Sequence, residues 1–137
     1  MAVLLDTCAI IWLGGGARMS AASIAAINQA AVSGEVFVSP ISAWEIGYVH
    51  ADPRKDVSFQ PSPAVWFQAF LLRAGVRLVP ITVNAATEAA TLPGPIHADP
   101  ADRLLIATAR ELGASIVTRD RKILDYGRRG HVDVIAC

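Results

Sequence analysis

Four carboxylates of this chain stand where an acid is hard to accommodate, and a fifth stands beside one of them. Asp6 closes the apolar run Ala2-Val3-Leu4-Leu5, and Asp120 follows Ser115-Ile116-Val117 by three residues. Both lie at or just past the carboxyl end of a predicted strand, the end at which open α/β sheets bind ligands. At 100° per residue from Ile41, Glu45 falls at about 40°, within an apolar stripe with Trp44, Tyr48 and Val49. The same rotation groups Asp102 with Leu105, Ile106, Ala109 and Leu112 on the next long helix. Acids are seldom buried unless paired or bound to a metal, and two of them about 6 Å apart repel by roughly 3 kcal/mol at an effective dielectric of about 20. Oxygen donors without a nearby His or Cys set suit Mg²⁺ or Mn²⁺ and not zinc. Each acid also has a local explanation: Asp99 as a helix N-cap or a partner of Arg103, Asp102 as a first-turn charge, Asp6 as a cap, Glu45 as half of an internal ion pair. Four acids on topologically matched ends favour a shared metal site over four coincidences.

Positioning these groups is the task of the elements around them. The pattern predicts a first strand over Ala2–Leu5 and a helix from Cys8 to Leu13 that stops at Gly14-Gly15-Gly16. Ser20 caps an Ala-rich helix to about Val32, and Glu35–Val38 reads as the second strand. Ser39-Pro40 opens a helix to about His50, and Ala51 to Pro63 is the one long loop. Trp66, Phe67, Phe70 and Leu71 mark a further amphipathic helix, Val76 to Ile81 a strand, and Thr82 the cap of a short helix to about Leu92. Asp99-Pro100 begins a helix that runs to Leu112 and ends at Gly113. Ser115–Val117, a short helix after Asp120, and Val132–Ala136 complete an alternation that predicts an α/β fold, a three-layer α/β/α sandwich with a mainly parallel central sheet.

A chain of 137 residues is expected to form a single domain, residues 1–137. With 53% apolar and 18% charged residues and a mean hydropathy of +0.43, it has ample material for a core. Twelve basic and twelve acidic residues cancel, so any polyanion must be met by a local patch. Arg119, Arg121, Lys122, Arg128 and Arg129 supply one near Asp120. Cys8 and Cys137 lack a disulfide or zinc spacing, and no basic leader or membrane-length apolar run is present, so a reducing cytoplasm is expected. Cys8 reads as a small core residue, Trp12, Trp44 and Trp66 as core or interface aromatics, and His50, His97 and His131 as surface or loop residues. The glycine triplet lacks the Lys-Ser/Thr of a phosphate-binding loop.

Four segments in order, Leu4-Leu5-Asp6-Thr7, Ser42-Ala43-Trp44-Glu45-Ile46, His97-Ala98-Asp99-Pro100-Ala101-Asp102-Arg103-Leu104-Leu105-Ile106-Ala107 and Val117-Thr118-Arg119-Asp120, span nearly the whole chain. Together they resemble the PIN-domain family, and most closely the VapC-type toxins of bacterial toxin–antitoxin pairs. The resemblance implies an endoribonuclease in which Asp6, Glu45, Asp102 and Asp120 bind Mg²⁺ or Mn²⁺ and Asp99 plays a supporting catalytic part. It makes Thr118 the hydroxyl found beside the last acid, and it implies a homodimer inhibited by a small cognate antitoxin. Thr118, Arg103, Arg119, Arg121 and Lys122 are the expected RNA contacts. The alternative is a non-catalytic binding module whose acidic pocket recruits a basic partner segment. A phosphotransfer domain of the receiver or haloacid-dehalogenase type fits less well, since Cys8 stands where the latter needs a second Asp.

Overall fold

The computed structural model describes residues 1–137. Five strands, β1 (Val3–Leu5), β2 (Val36–Val38), β3 (Val76–Leu78), β4 (Ser115–Thr118) and β5 (Val134–Ala136), form one sheet in the order β3-β2-β1-β4-β5. Every neighbouring pair is parallel. Helices α1 (Thr7–Gly15), α2 (Ala21–Val32), α3 (Pro40–Ala51) and α4 (Pro63–Leu71) alternate with the first three strands; α5 (Val83–Ala90), α6 (Pro100–Leu112) and α7 (Arg121–Arg128) follow.

Wholly apolar strands arise because both faces of the sheet are covered. Val3, Leu5, Val36, Val38 and Val117 join Ala9, Ile10, Ile27, Ile46, Phe67 and Phe70 from α1 to α4 in one core. Leu4, Phe37 and Ile116 point the other way and join Ala85, Leu105, Ile106, Ala109, Ile123 and Tyr126 from α5 to α7. The three predicted layers and the parallel sheet are therefore present. Ser20, Ser39, Thr82 and Asp99 each cap the helix expected of them. No helix is long and apolar enough to cross a membrane.

Three local expectations are corrected. The third strand stops at Leu78 and not Ile81, because Pro80 has no N–H for the ladder. Cys8 is exposed, not a core residue. Trp44 and Tyr48 are also exposed, at 56% and 65%, and pack edge to face on each other with ring centroids 4.6 Å apart. The buried face of α3 is centred on Ser42 and Ile46, about 100° round from Ile41. A serine at the centre of a helix face hides that face from a hydrophobic pattern. The rotation sets Glu45 at the edge of the buried stripe, half-buried, where it faces both the protein and the solvent.

Gly75 accommodates the close approach of α2 to the start of β3. Its φ is +80°, its carbonyl accepts from Val36 N, and a Cβ there would lie 2.4 Å from Ala31 Cα. Gly75→Ala is expected to destabilise the fold by roughly 2–4 kcal/mol, measured by urea unfolding. Wild-type stability in that variant would contradict the packing described.

Candidate functional site

Strand order reverses at β1, whose two neighbours are β2 and β4. Such a reversal opens a crevice beyond the carboxyl ends of the two central strands. The chain leaves β1 into α1 and β4 into α7, and an aspartate caps each helix. Asp6 Oδ1 accepts from Ala9 N at 2.7 Å, and Asp120 Oδ1 accepts from Lys122 N and Ile123 N at 2.8 and 3.1 Å. The buried Thr118 links them: its hydroxyl donates to Asp6 Oδ2 at 2.5 Å and accepts from Asp120 N at 3.0 Å.

The other acids arrive on helices. Glu45, on the second turn of α3, accepts from Thr7 Oγ1 at 2.5 Å, and that hydroxyl lies 3.1 Å from the buried Ser42 Oγ. Asp102, on the first turn of α6, has Oδ2 2.7 Å from His97 Nε2. Asp99 caps α6 by accepting from Asp102 N at 3.0 Å, which fixes the backbone of its neighbour. All five acids, with Thr7, Cys8, Trp12 and Arg119, line one cleft of about 430 Å³.

Electrostatics bears the marks of this convergence. Burial raises Asp6 to about 6, with Asp102 and Asp120 adding to the rise and the Thr118 and Ala9 bonds opposing it. Burial also raises Glu45 and Asp102, and repulsion from the other acids of the cleft raises both further; the bond from Thr7 opposes the shift in Glu45 and that from His97 the shift in Asp102. The Cys8 thiol is pushed up to about 11 by the protein around its sulfur and then by Asp6, Glu45, Asp102 and Asp120, so it is no nucleophile at neutral pH.

No lysine or arginine forms an ion pair with any of these acids. Arg119 reaches the cleft wall, but its guanidinium lies 3.8 Å over the Trp12 ring and donates to the carbonyls of Cys137 and Arg18. As the side chains stand, no three of the acids converge on one point as a preformed metal cage. Each is turned to its own neutral donor or imidazole, the arrangement expected of mutually repelling charges. The donor set is nevertheless the one a hard divalent ion takes: several carboxylate oxygens, no thiolate, and negative charge left without a cation.

Asp6, Glu45, Asp99, Asp102 and Asp120 are thus brought together, as expected from the sequence. The expected RNA contacts divide. Arg121 and Lys122 are exposed at the start of α7, beside Asp120. Thr118 is fully buried and turned to Asp6, so it positions acids and does not meet a ligand. Arg103 is likewise corrected: it donates to the carbonyls of Ala89, Ala90 and His97 and ties the end of α5 to α6. One residue beyond Asp102 is 100° round the helix, away from the cleft. His97 lies in the loop before α6, as the sequence reading expects, but its contact with Asp102 is not foreseen, the one signal being its place five residues before that acid; Thr7 and Ser42 enter that reading only as parts of matched segments.

The PIN domain model matches residues 3–129. Over 126 residues the chain is 37% identical to Ribonuclease VapC22 of Mycobacterium tuberculosis, covering 90% of this chain and 91% of that protein. The fold is similar to VapBC2 from Rickettsia felis bound to a promoter DNA fragment, with a TM-score of 0.69, 17% identity and coverage of 99% and 98%. It is also similar to FitAcB from Neisseria gonorrhoeae, with a TM-score of 0.62, 22% identity and coverage of 97% and 96%.

Two outcomes follow from the site's energetics. Asp6 binds its proton more tightly in the folded protein, at about 6, than at its ordinary 3.8, so folding stability falls as pH rises through that window. The full cost is about 3 kcal/mol above the window and vanishes below it. In chelator, Asp6→Asn, which keeps the cap, is expected to exceed wild type by roughly 1–3 kcal/mol at pH 7.5 and to match it near pH 3.5; a pH-independent difference would contradict the burial argument. Arg103→Met should lose roughly 1–3 kcal/mol in urea melts, and an unchanged midpoint would show that its three carbonyl contacts contribute nothing.

Proposed function

The chain belongs to the PIN-domain family, and on that premise we propose that it is the ribonuclease toxin of a toxin–antitoxin pair, cutting RNA with the help of Mg²⁺ or Mn²⁺. One observation carries this reading: five carboxylates from four separated segments line a single cleft without a neutralising lysine or arginine. A structural cluster would place guanidinium groups among them, as Arg110 is placed on Glu88 and Arg128 on Asp125. The relative at 37% identity carries the name ribonuclease, and a phosphodiester is a substrate that such an acid set can serve only with a multivalent cation present.

Asp6, Asp102, Glu45 and Asp120 would hold the ion. Bound there, it would offset the charge of the scissile phosphate and make a nearby water more acidic. Glu45, held by Thr7 and placed at the cleft edge, orients the attacking water and takes up its proton. Thr118 keeps Asp6 and Asp120 in register, and Asp99 keeps the first turn of α6 in place. Arg121 and Lys122 steer the RNA backbone toward the cleft. In-line displacement of the 3′ oxygen leaves 5′-phosphate and 3′-hydroxyl ends.

The partners belong to the same reading. Two relatives by fold are described as VapBC2 and FitAcB, and a small antitoxin with a basic side chain in the acidic cleft would silence the enzyme. The protein works in the cytoplasm as a homodimer, for which the exposed Trp44–Tyr48 pair on α3 offers apolar contact surface.

Purified, antitoxin-free protein should cut mixed RNA in Mg²⁺ or Mn²⁺ and stop when chelator is added. Asp6→Asn and Asp102→Asn should lower the rate by at least about a hundredfold, the scale of losing a transition-state contact, with folding retained by circular dichroism. Cleavage that ignores chelator or leaves 2′,3′-cyclic ends would sink the proposal.

A further inference from the structure

We infer that His97 is a positioning residue: its imidazole orients the Asp102 carboxylate for the divalent ion of the proposed ribonuclease, on which reading this inference rests. Asp102 accepts one side-chain hydrogen bond, from His97 Nε2 at 2.7 Å. The imidazole is itself held in place. Its side chain is 14% exposed, and its backbone carbonyl accepts from Arg103 Nη1 at 3.2 Å.

The other ring nitrogen makes the case. His97 Nδ1 is buried with no hydrogen-bond partner, and no other buried side-chain nitrogen or oxygen in the chain is left so. Orphaned buried polar atoms cost stability and are rare for that reason. A ring needed only for packing would be served better by phenylalanine. A histidine needed only for solubility would turn Nδ1 to water. What the ring gains in this orientation is the Nε2–H bond to Asp102, so the orphan is the cost of that bond. An ionised carboxylate can only accept, so in this bond it is Nε2–H that donates to Asp102 Oδ2.

A carboxylate on the first turn of a helix rotates about two bonds. Asp102 is half-buried beside Asp99 and Asp120, whose charges repel it. The bond to His97 engages Oδ2, restricts that rotation and leaves Oδ1 with no hydrogen-bond donor in the protein. This is the outer-shell arrangement in which a donor fixes a ligating carboxylate, and loss of such a donor typically weakens metal binding by about 10–100-fold. The matched segment that begins at His97 assigns the acids a role and gives the histidine none, because the pairing needs the loop before α6 to fold back on the helix.

Four substitutions separate positioning from packing. His97→Phe keeps the ring and removes the donor. His97→Gln places an amide nitrogen near the Nε2 position, whereas the shorter His97→Asn places it near Nδ1. Mn²⁺ affinity of the metal-free protein is read from the loss of the free-ion electron paramagnetic resonance signal, beside wild type and Asp102→Asn. The expected result is Mn²⁺ binding about 10–100-fold weaker in His97→Phe and His97→Asn, recovery to within a few-fold of wild type in His97→Gln, and a Tm for His97→Phe at or above wild type. If His97→Phe does not fold, the Gln and Asn pair decides. Wild-type Mn²⁺ affinity in His97→Phe or His97→Asn, or no recovery in His97→Gln, would overturn the positioning role and leave the ribonuclease reading standing. A wild-type protein that binds no Mn²⁺ and cuts RNA regardless of chelator would overturn that reading and this inference with it.

Discussion

Asp6 is 5% exposed, and it shares a cleft with four other acids. Removing a carboxylate from water and then surrounding it with like charge works against its ionisation twice over, and its rise to about 6 is the result. This crowding of negative charge is the constraint on which the rest of the architecture turns. It makes the cleft a high-energy place on its own, and a multivalent cation entering it would be a stabilising partner.

The protein supports these charges without cancelling them. Thr7, Thr118 and the first amides of α1 and α7 donate hydrogen bonds to Glu45, Asp6 and Asp120. Neutral donors reduce the penalty of burial and hold each carboxylate in a set direction, yet leave its charge available. A guanidinium would do the first two and forfeit the third. The helix N-termini at Asp6, Asp99 and Asp120 serve in the same sense, since their amides carry partial positive charge and no counter-ion.

The cations are spent elsewhere. Arg103 binds the carbonyls at the end of α5, Arg119 stacks on Trp12, and Arg110 and Arg128 pair with Glu88 and Asp125. The contacts of Arg103 and Arg110 join α5 to α6 and those of Arg119 join the Trp12 end of α1 to the chain around Arg18 and Cys137, and so brace the framework from which the acids project. A neutral total charge thus conceals a division: negative charge is concentrated and unpaired in the cleft, while several of the positive side chains are tied to carbonyls and carboxylates around it.

Local physics was legible in the amino-acid order. Serines, a threonine and an aspartate before helices, prolines at first turns and unbroken apolar triplets specify where elements start, and the ends of β1 and β4 mark where Asp6 and Asp120 must lie. Those signals depend on neighbours within a few residues, so the chain itself determined the three-layer fold and the acidic positions. Only tertiary structure decided which face of α3 turns inward. Ser42, a polar residue at the centre of that face, packs against Thr7 of α1, and this leaves Trp44 and Tyr48 outside. It likewise decided that Thr118 would be buried beneath Asp6, that Arg103 would leave the cleft, and that His97 would meet Asp102. Each of these depends on hydrogen-bond partners supplied by a different element, or on burial imposed by one. Periodicity and capping carry no information about such partners, because they report a residue's preference for its own helix or strand and not what another segment brings against it.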